Sequence, residues 1–279
     1  MVFTRADALA AGFVGSAAAS VAAFGLTPWA LAGPFAAFGA LLADGIARPQ
    51  SPWLMPVVTH GDRTRPAVAL TFDDGPDPQI TPAIADELAN AGARATFFCI
   101  GRHLEAAPEL ARALFAAGHQ LGNHSYEHAR TLNFRGAAAQ AAEIERGAAA
   151  VRAVTGQTIE PLYRPPVGLK NPPLARVVKQ RGLQVIMWSL HGRDTGARTP
   201  EQIASRVLAR VRPGDIVLLH DGADRPGVRR ASTPAAVRLI LRDLRERGLA
   251  AVTVDELRDT TFPAAADVTT VPAKFGDST

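Results

Sequence analysis

The run Ala67-Val68-Ala69-Leu70-Thr71-Phe72, stopped by Asp73-Asp74-Gly75-Pro76, decides how the rest of the chain is read. β-prone residues that end in a Gly-Pro turn make a short strand delivering its last residues into a loop. A helical pattern follows over 80–91, with Thr81 as N-cap, Pro82 at the first helical position and Gly92 just past the end. Further strands are predicted at 95–100, 120–123, 162–164, 184–188, 215–220 and 250–254. Helices are predicted between them at 108–117, 136–154, 173–181, 200–211 and 233–247. Alternation of this kind implies a mostly parallel sheet covered by helices, and seven units around one core favour a closed or nearly closed barrel. Functional groups on such a fold stand at the C-terminal ends of the strands.

Outward from this domain (67–259) the sequence changes character. Residues 48–66 are rich in Pro and Arg and read as a linker, and 260–279 read as a disordered tail. Residues 1–47 form a hydrophobic anchor segment, because no charged residue lies between Asp7 and Asp44. A spanning helix needs about 20 apolar residues. The run therefore suits two spans over 8–26 and 29–46, turning at Thr27 to Pro34, or one span and a re-entrant piece. A cleaved signal peptide has a shorter apolar core, and an Ala-rich helix pair packed on a soluble domain is the other alternative. The expected place is a bacterial inner membrane. Two spans with Arg5, Arg48, Arg63 and Arg65 on one side would put the domain in the cytoplasm, whereas one span would put it outside.

Composition narrows the function. Of 279 residues, 47% are hydrophobic and 20% charged, which excludes a disordered chain. Basic and acidic side chains number 30 and 26, a balance of +4 with 6% aromatics, so no nucleic-acid partner is expected. Cys99 is the sole cysteine and reads as a core residue, which excludes a cysteine-based metal site.

Three features fall at strand ends. Asp73-Asp74 places two carboxylates after the first strand. His124-Ser125-Tyr126-Glu127-His128 puts two imidazoles four apart, within reach of one metal. Val217-Leu218-Leu219-His220-Asp221 brings a titratable group to the tip of an apolar strand, where an acid or base is useful. One Asp and two His make a sound donor set for a divalent cation. His60, His103 and His119 read as surface or loop residues, and His191 has no assigned role.

With Arg164-Pro165-Pro166-Val167-Gly168, these motifs occur in an order that resembles the polysaccharide deacetylases, the family 4 carbohydrate esterases related to nodulation-factor deacetylases. The resemblance runs from about Val68 to Leu257. It implies a deformed seven-stranded (β/α) barrel and a hydrolase that removes an N-acyl group, above all N-acetyl, from an amino sugar of an envelope polysaccharide or lipid-linked glycan. A deformylase or O-acyl esterase on the same centre, and a non-catalytic carbohydrate-binding protein on the same fold, are the alternatives. Carried over, the resemblance makes Asp73 the general base and Asp74, His124 and His128 the ligands of one divalent metal. That metal is expected to be Zn²⁺, with Co²⁺, Ni²⁺ or Fe²⁺ as substitutes. Arg164 would hold the base through an acidic partner, Asp194. His220 would be the general acid, the Val167 N–H an oxyanion donor, and Leu218 the wall of the acetyl pocket. Val167 stands where the family has an aromatic residue, and Thr195 follows Asp194 where the family has Trp; both alter the substrate surface more than the chemistry.

Overall fold

The computed structural model describes residues 4–259 apart from 226 and 229. The expected disordered tail, 260–279, lies outside the described residues. Two helices come first, α1 (Arg5–Phe24) and α2 (Pro28–Ala47). The domain then runs β1 (Ala67–Asp73), α3 (Ile80–Asn90), β2 (Thr96–Cys99), α4 (Gly101–Ala106), α5 (Pro108–Ala116) and β3 (Gln120–Asn123). It continues with α6 (Ala137–Thr155), α7 (Pro172–Arg181), β4 (Leu190–His191), α8 (Pro200–Leu208) and β5 (Ile216–His220). It ends with α9 (Thr233–Glu246), β6 (Ala250–Val252) and α10 (Val254–Arg258).

All strand pairs are parallel, in the order β3-β2-β1-β5-β4, with β6 paired to the start of β1. The described sheet has six strands, not seven. The strands expected at 162–164 and 184–188 shrink to isolated bridges, Asn123 with Tyr163 and Tyr163 with Val185. Beside these bridges the Arg164 guanidinium takes the Ile186 and Met187 carbonyls. The chain regains a ladder only at β4.

Alternation along the strands sorts side chains into two cores. Val68, Leu70 and Phe72 of β1 join Val217 and Leu219 of β5 in the layer under α3, α8 and α9. Ala67 and Ala69 join Ile216 and Leu218 in the other. Asp73 continues the second face of β1, and His220 continues the second face of β5. The register pairs Asp73 directly with His220. Two residues far apart in sequence thus emerge side by side at the strand ends.

The stretch expected to be a linker is packed instead. Ser51, Leu54 and Met55 are buried, and Val58 and His60 bridge to Ile186 and Asp215. Lys170, itself buried, donates from Nζ to the carbonyls of Arg48 (2.8 Å), Pro49 (2.8 Å) and Ser51 (2.9 Å). Three acceptors compensate a buried ammonium that the Pro-rich sequence gave no hint of. Two boundaries also differ. Asp77 Oδ1 accepts from the N–H groups of Gln79 and Ile80, so α3 starts before Thr81, which lies inside it. The turn between α1 and α2 falls at 25–27, and α2 runs on through Pro34.

Candidate active site

The β1 end builds the centre of the site. Asp73 is buried, and Arg164 Nη1 donates to its Oδ1 at 2.6 Å. The same guanidinium donates to Thr71 Oγ1 (2.9 Å), Ile186 O (3.1 Å) and Met187 O (3.2 Å), and stacks over Phe98 at 4.0 Å. A fully buried cation is tolerable only when its donors are met in this way. Burial pushes the Asp73 carboxyl up, against the pull of Arg164.

Asp74 turns away from its neighbour because its backbone is left-handed, with φ 74°. His103 Nδ1 donates to the Asp74 carbonyl at 2.8 Å and holds the turn. The expectation that His103 is a simple surface residue is corrected on this contact. Gly75 is required for space, since a Cβ there would strike the Asp221 carboxylate.

His124 follows β3, and its Nδ1 donates to the Arg164 carbonyl at 2.8 Å, leaving Nε2 as the acceptor nitrogen. Asn123 Oδ1 accepts from Ser125 N–H (2.9 Å), and Ser125 Oγ accepts from His128 N–H (3.0 Å), which folds the loop so that both imidazoles face inward. Asp74 Oδ1 lies 3.6 Å from His124 Nε2 and 3.3 Å from His128 Nε2.

These three residues fit a divalent cation. Their ligand atoms lie within 4.8 Å of one another, and all three residues are buried. Burial pushes both imidazoles down to about 3, so they are neutral donors, and pushes Asp74 up to about 7. Asp74 Oδ1 is buried without a hydrogen-bond partner, a deficit that a bound cation removes.

His220 stands on the other flank. Its Nδ1 donates to Asp194 Oδ1 at 2.9 Å, and its backbone N–H donates to Asp194 Oδ2 at 2.8 Å. Thr233 Oγ1 also donates to Asp194 Oδ2, at 3.0 Å. Burial pulls the imidazole down, but the Asp194 charge and hydrogen bond outweigh it and lift His220 to about 9. The expected pairing of Asp194 with Arg164 is therefore corrected. Arg164 reaches Asp73 directly, and Asp194 serves His220.

Seven of the nine predicted site residues line one cavity of about 840 Å³, the exceptions being Arg164 and Asp194 behind its walls. Val167 is at its edge, in left-handed geometry at φ 51°, which is a costly conformation for a β-branched residue. Leu218 and Trp188 supply apolar wall. Sequence reasoning missed His103, Asn123 and Asp224. Asp224 Oδ2 accepts from Arg130 Nε at 2.7 Å and lies 3.7 Å from His128 Nδ1. His103 and Asp224 work through contacts distant in sequence, whereas Asn123 folds its own loop through Ser125 N–H, two residues on.

A buried carboxylate held by a guanidinium, an imidazole held by a carboxylate and a cradle of three metal-ligating side chains stand together at the C-terminal ends of a parallel sheet, an arrangement suited to metal-assisted hydrolysis. The polysaccharide deacetylase family model matches residues 60–186. A peptidoglycan-N-acetylglucosamine deacetylase of Bacillus cereus is 37% identical over 194 residues, covering 68% of this chain and 87% of the relative. A chitooligosaccharide deacetylase of Azorhizobium caulinodans is 34% identical over 195 residues, 66% of this chain and 90% of the relative. The crystal structure of a peptidoglycan N-acetylglucosamine deacetylase superposes with a TM-score of 0.68 at 27% identity, over 74% of this chain and 94% of that one. The chain belongs to the polysaccharide deacetylase family.

Proposed function

We propose that the protein hydrolyses the N-acetyl amide of an amino sugar, using Asp73 and His220 as base and acid on either side of a metal held by Asp74, His124 and His128. The carrying observation is the Asp73–His220 register pair beside the three-donor cradle. A divalent cation, with Zn²⁺ best suited to this donor set, would supply Lewis-acid polarisation of the carbonyl and a more acidic water. Asp73, raised by burial and oriented by Arg164, takes the proton of the attacking water. The Val167 N–H donates to the oxyanion of the tetrahedral intermediate, a contribution of about 3–4 kcal/mol for one such donor. Protonated His220 passes its Nε2 proton to the departing nitrogen, and Asp194 stabilises the imidazolium until then. Products are the free amine and acetate. Leu218 bounds the space for the acetyl methyl.

The reading includes a membrane hairpin. α1 and α2 are 20 residues each, packed together through Phe13, Phe35 and Phe38, and no residue of α1 is buried. At about 1.5 Å per residue each can cross a hydrocarbon core. A two-span hairpin returns the chain to its starting side, so the N-terminus and the catalytic cleft share a compartment. Recovery of the full chain in the soluble fraction without detergent would remove the anchor from this reading.

The test is acetate release from N-acetylated chitooligosaccharides by the purified full-length protein, before and after chelation. Activity should disappear with the metal and return with Zn²⁺. His128→Ala should reduce metal content sharply by elemental analysis; unchanged stoichiometry would overturn the ligand set.

A further inference from the structure

Three observations meet at the mouth of the cleft. Pro49 and Gln50 line it, two and three residues after α2 ends. They are held firmly there. Gln50 Nε2 donates to the Trp188 carbonyl at 2.9 Å, and the Lys170 ammonium fixes the adjoining carbonyls. The foot of the hairpin is therefore a wall of the catalytic cavity, and a bilayer around α1 and α2 would bring its headgroups to the cavity mouth.

The cavity is also cationic beyond its own needs. Of its lining arginines, Arg130 is paired with Asp224, and Arg230 donates to the Gly222 and Thr195 carbonyls. Arg193 has no carboxylate within ion-pair distance among the described residues, and Arg198 has only the Arg193 carbonyl, at 2.7 Å. Charge accumulates rather than cancels around them. After burial itself, Arg193, Arg198 and Arg210 push Arg206 down, and Arg193 and Arg206 push His191 down.

Finally, Arg193 holds φ 56°, in a region that long side chains avoid. Like-charge crowding and backbone strain both disfavour this loop in the free protein. A bound anion offsets the like-charge crowding, and a guanidinium is suited to phosphate oxygens in bidentate geometry. A neutral acetamido sugar can accept hydrogen bonds from Arg193 and Arg198 but leaves their charge uncompensated.

We infer that the amino sugar enters this cleft as a phosphate ester of a lipid, with Arg193 and Arg198 holding the phosphate and the hydrocarbon chain lying in the bilayer beside α1 and α2. The inference rests on the deacetylase reading above for the fate of the sugar, but the anion site stands on its own residues. Nothing in the chemistry changes: the amide C–N bond is cleaved by water, and the phosphate ester stays intact.

The experiment uses the full-length, metal-loaded protein in phosphatidylcholine nanodiscs. Calorimetry compares N-acetylglucosamine 1-phosphate with the neutral methyl N-acetylglucosaminide. The phosphate should bind about tenfold tighter or more, as one charge-assisted contact suffices for that factor. Salt should narrow the gap. The Arg193→Gln/Arg198→Gln double variant should lose most of it. Equal affinities in the wild type, or a preference that survives in the double variant, would overturn the site. Acetate release is then followed on a long-chain polyisoprenyl phosphate of N-acetylglucosamine in the same bilayer. Its kcat/KM should exceed that of the water-soluble phosphate by about tenfold or more; equality would overturn the lipid and leave a free sugar phosphate as the source. A phosphate preference without any acetate released would sink the deacetylase reading while keeping the anion site.

Discussion

The two flanks of the cleft use the same kind of pair in opposite order. On the β1 side the carboxylate of Asp73 faces the cavity, and the cation, Arg164, lies buried behind it. On the β5 side the cation, His220, faces the cavity, and the carboxylate, Asp194, lies behind. One flank therefore presents a carboxylate, the proposed base, and the other an imidazole, the proposed acid, at the same level of the sheet because the register pairs the two positions. The lesson concerns which member of a pair is turned outward. Burial raises Asp73 and would by itself lower His220; the hidden partner decides how far each goes.

The comparison breaks most severely at the base. Asp73→Asn keeps the Arg164 hydrogen bond and the shape of the site but cannot accept a proton. Activity on an acetamido sugar should fall about 10²–10⁴-fold, the range for losing a general base. Metal content should stay near that of the wild type, since Asp74, His124 and His128 form the cradle. A parallel loss of metal in elemental analysis would place Asp73 among the ligands instead.

On the acid flank, Asp194→Asn tests whether the hidden carboxylate sets the proton on His220. Below about 9 the wild-type imidazole carries its proton, so activity should fall on the alkaline side near that value. Without the Asp194 charge and hydrogen bond, burial is opposed only by the Asp74 and Asp73 charges and pulls the group down. The alkaline limb of kcat should therefore move down by about 2 pH units or more. With the limb near 7, activity should fall about twofold at pH 7 and about tenfold at pH 8. An unmoved limb would mean that another group controls it.

Much of this site was legible before the fold. The Asp73-Asp74 turn, the His124/His128 pair and the His220 strand tip each carry a local pattern, and the structure brings all of them to one cavity. What was not legible depends on partners distant in sequence. Asp194 was assigned to Arg164, because nothing local distinguishes a carboxylate that serves a guanidinium from one that serves an imidazole. The stretches 162–164 and 184–188 have the β-prone residues of strands, but their pairing is reduced to single bridges. Residues 48–66 read as a linker because Pro and Arg are common in linkers; Lys170, more than a hundred residues on, makes them a wall. His119 was expected at the surface, yet it is buried against Phe97 with a ring-centroid separation of 5.4 Å.

That last histidine sharpens the comparison with the smallest expected effect, one on stability alone. His119 is as hidden as the site histidines but has no carboxylate partner among the described residues. Its Nδ1 accepts the Ala95 N–H at 3.3 Å, which requires a neutral ring nitrogen. Burial pushes it down to about 4, with Arg94 adding to the same direction. His220, lifted by Asp194, goes the other way. Because the unfolded chain protonates at the ordinary value of 6.5 and the folded one only near 4, the unfolded state binds more protons in between. Stability contributed by His119 is therefore complete above pH 6.5 and is lost as the pH falls toward 4, at up to about 1.4 kcal/mol per pH unit, or about 3 kcal/mol by pH 4. His119→Gln offers an acceptor to Ala95 and has no proton to gain. Denaturant midpoints of the two proteins should converge as the pH is lowered from 7 to 4, because only the wild type suffers this loss. A constant difference across that window would show that His119 does not titrate there, and that burial without a partner is not what holds its proton off.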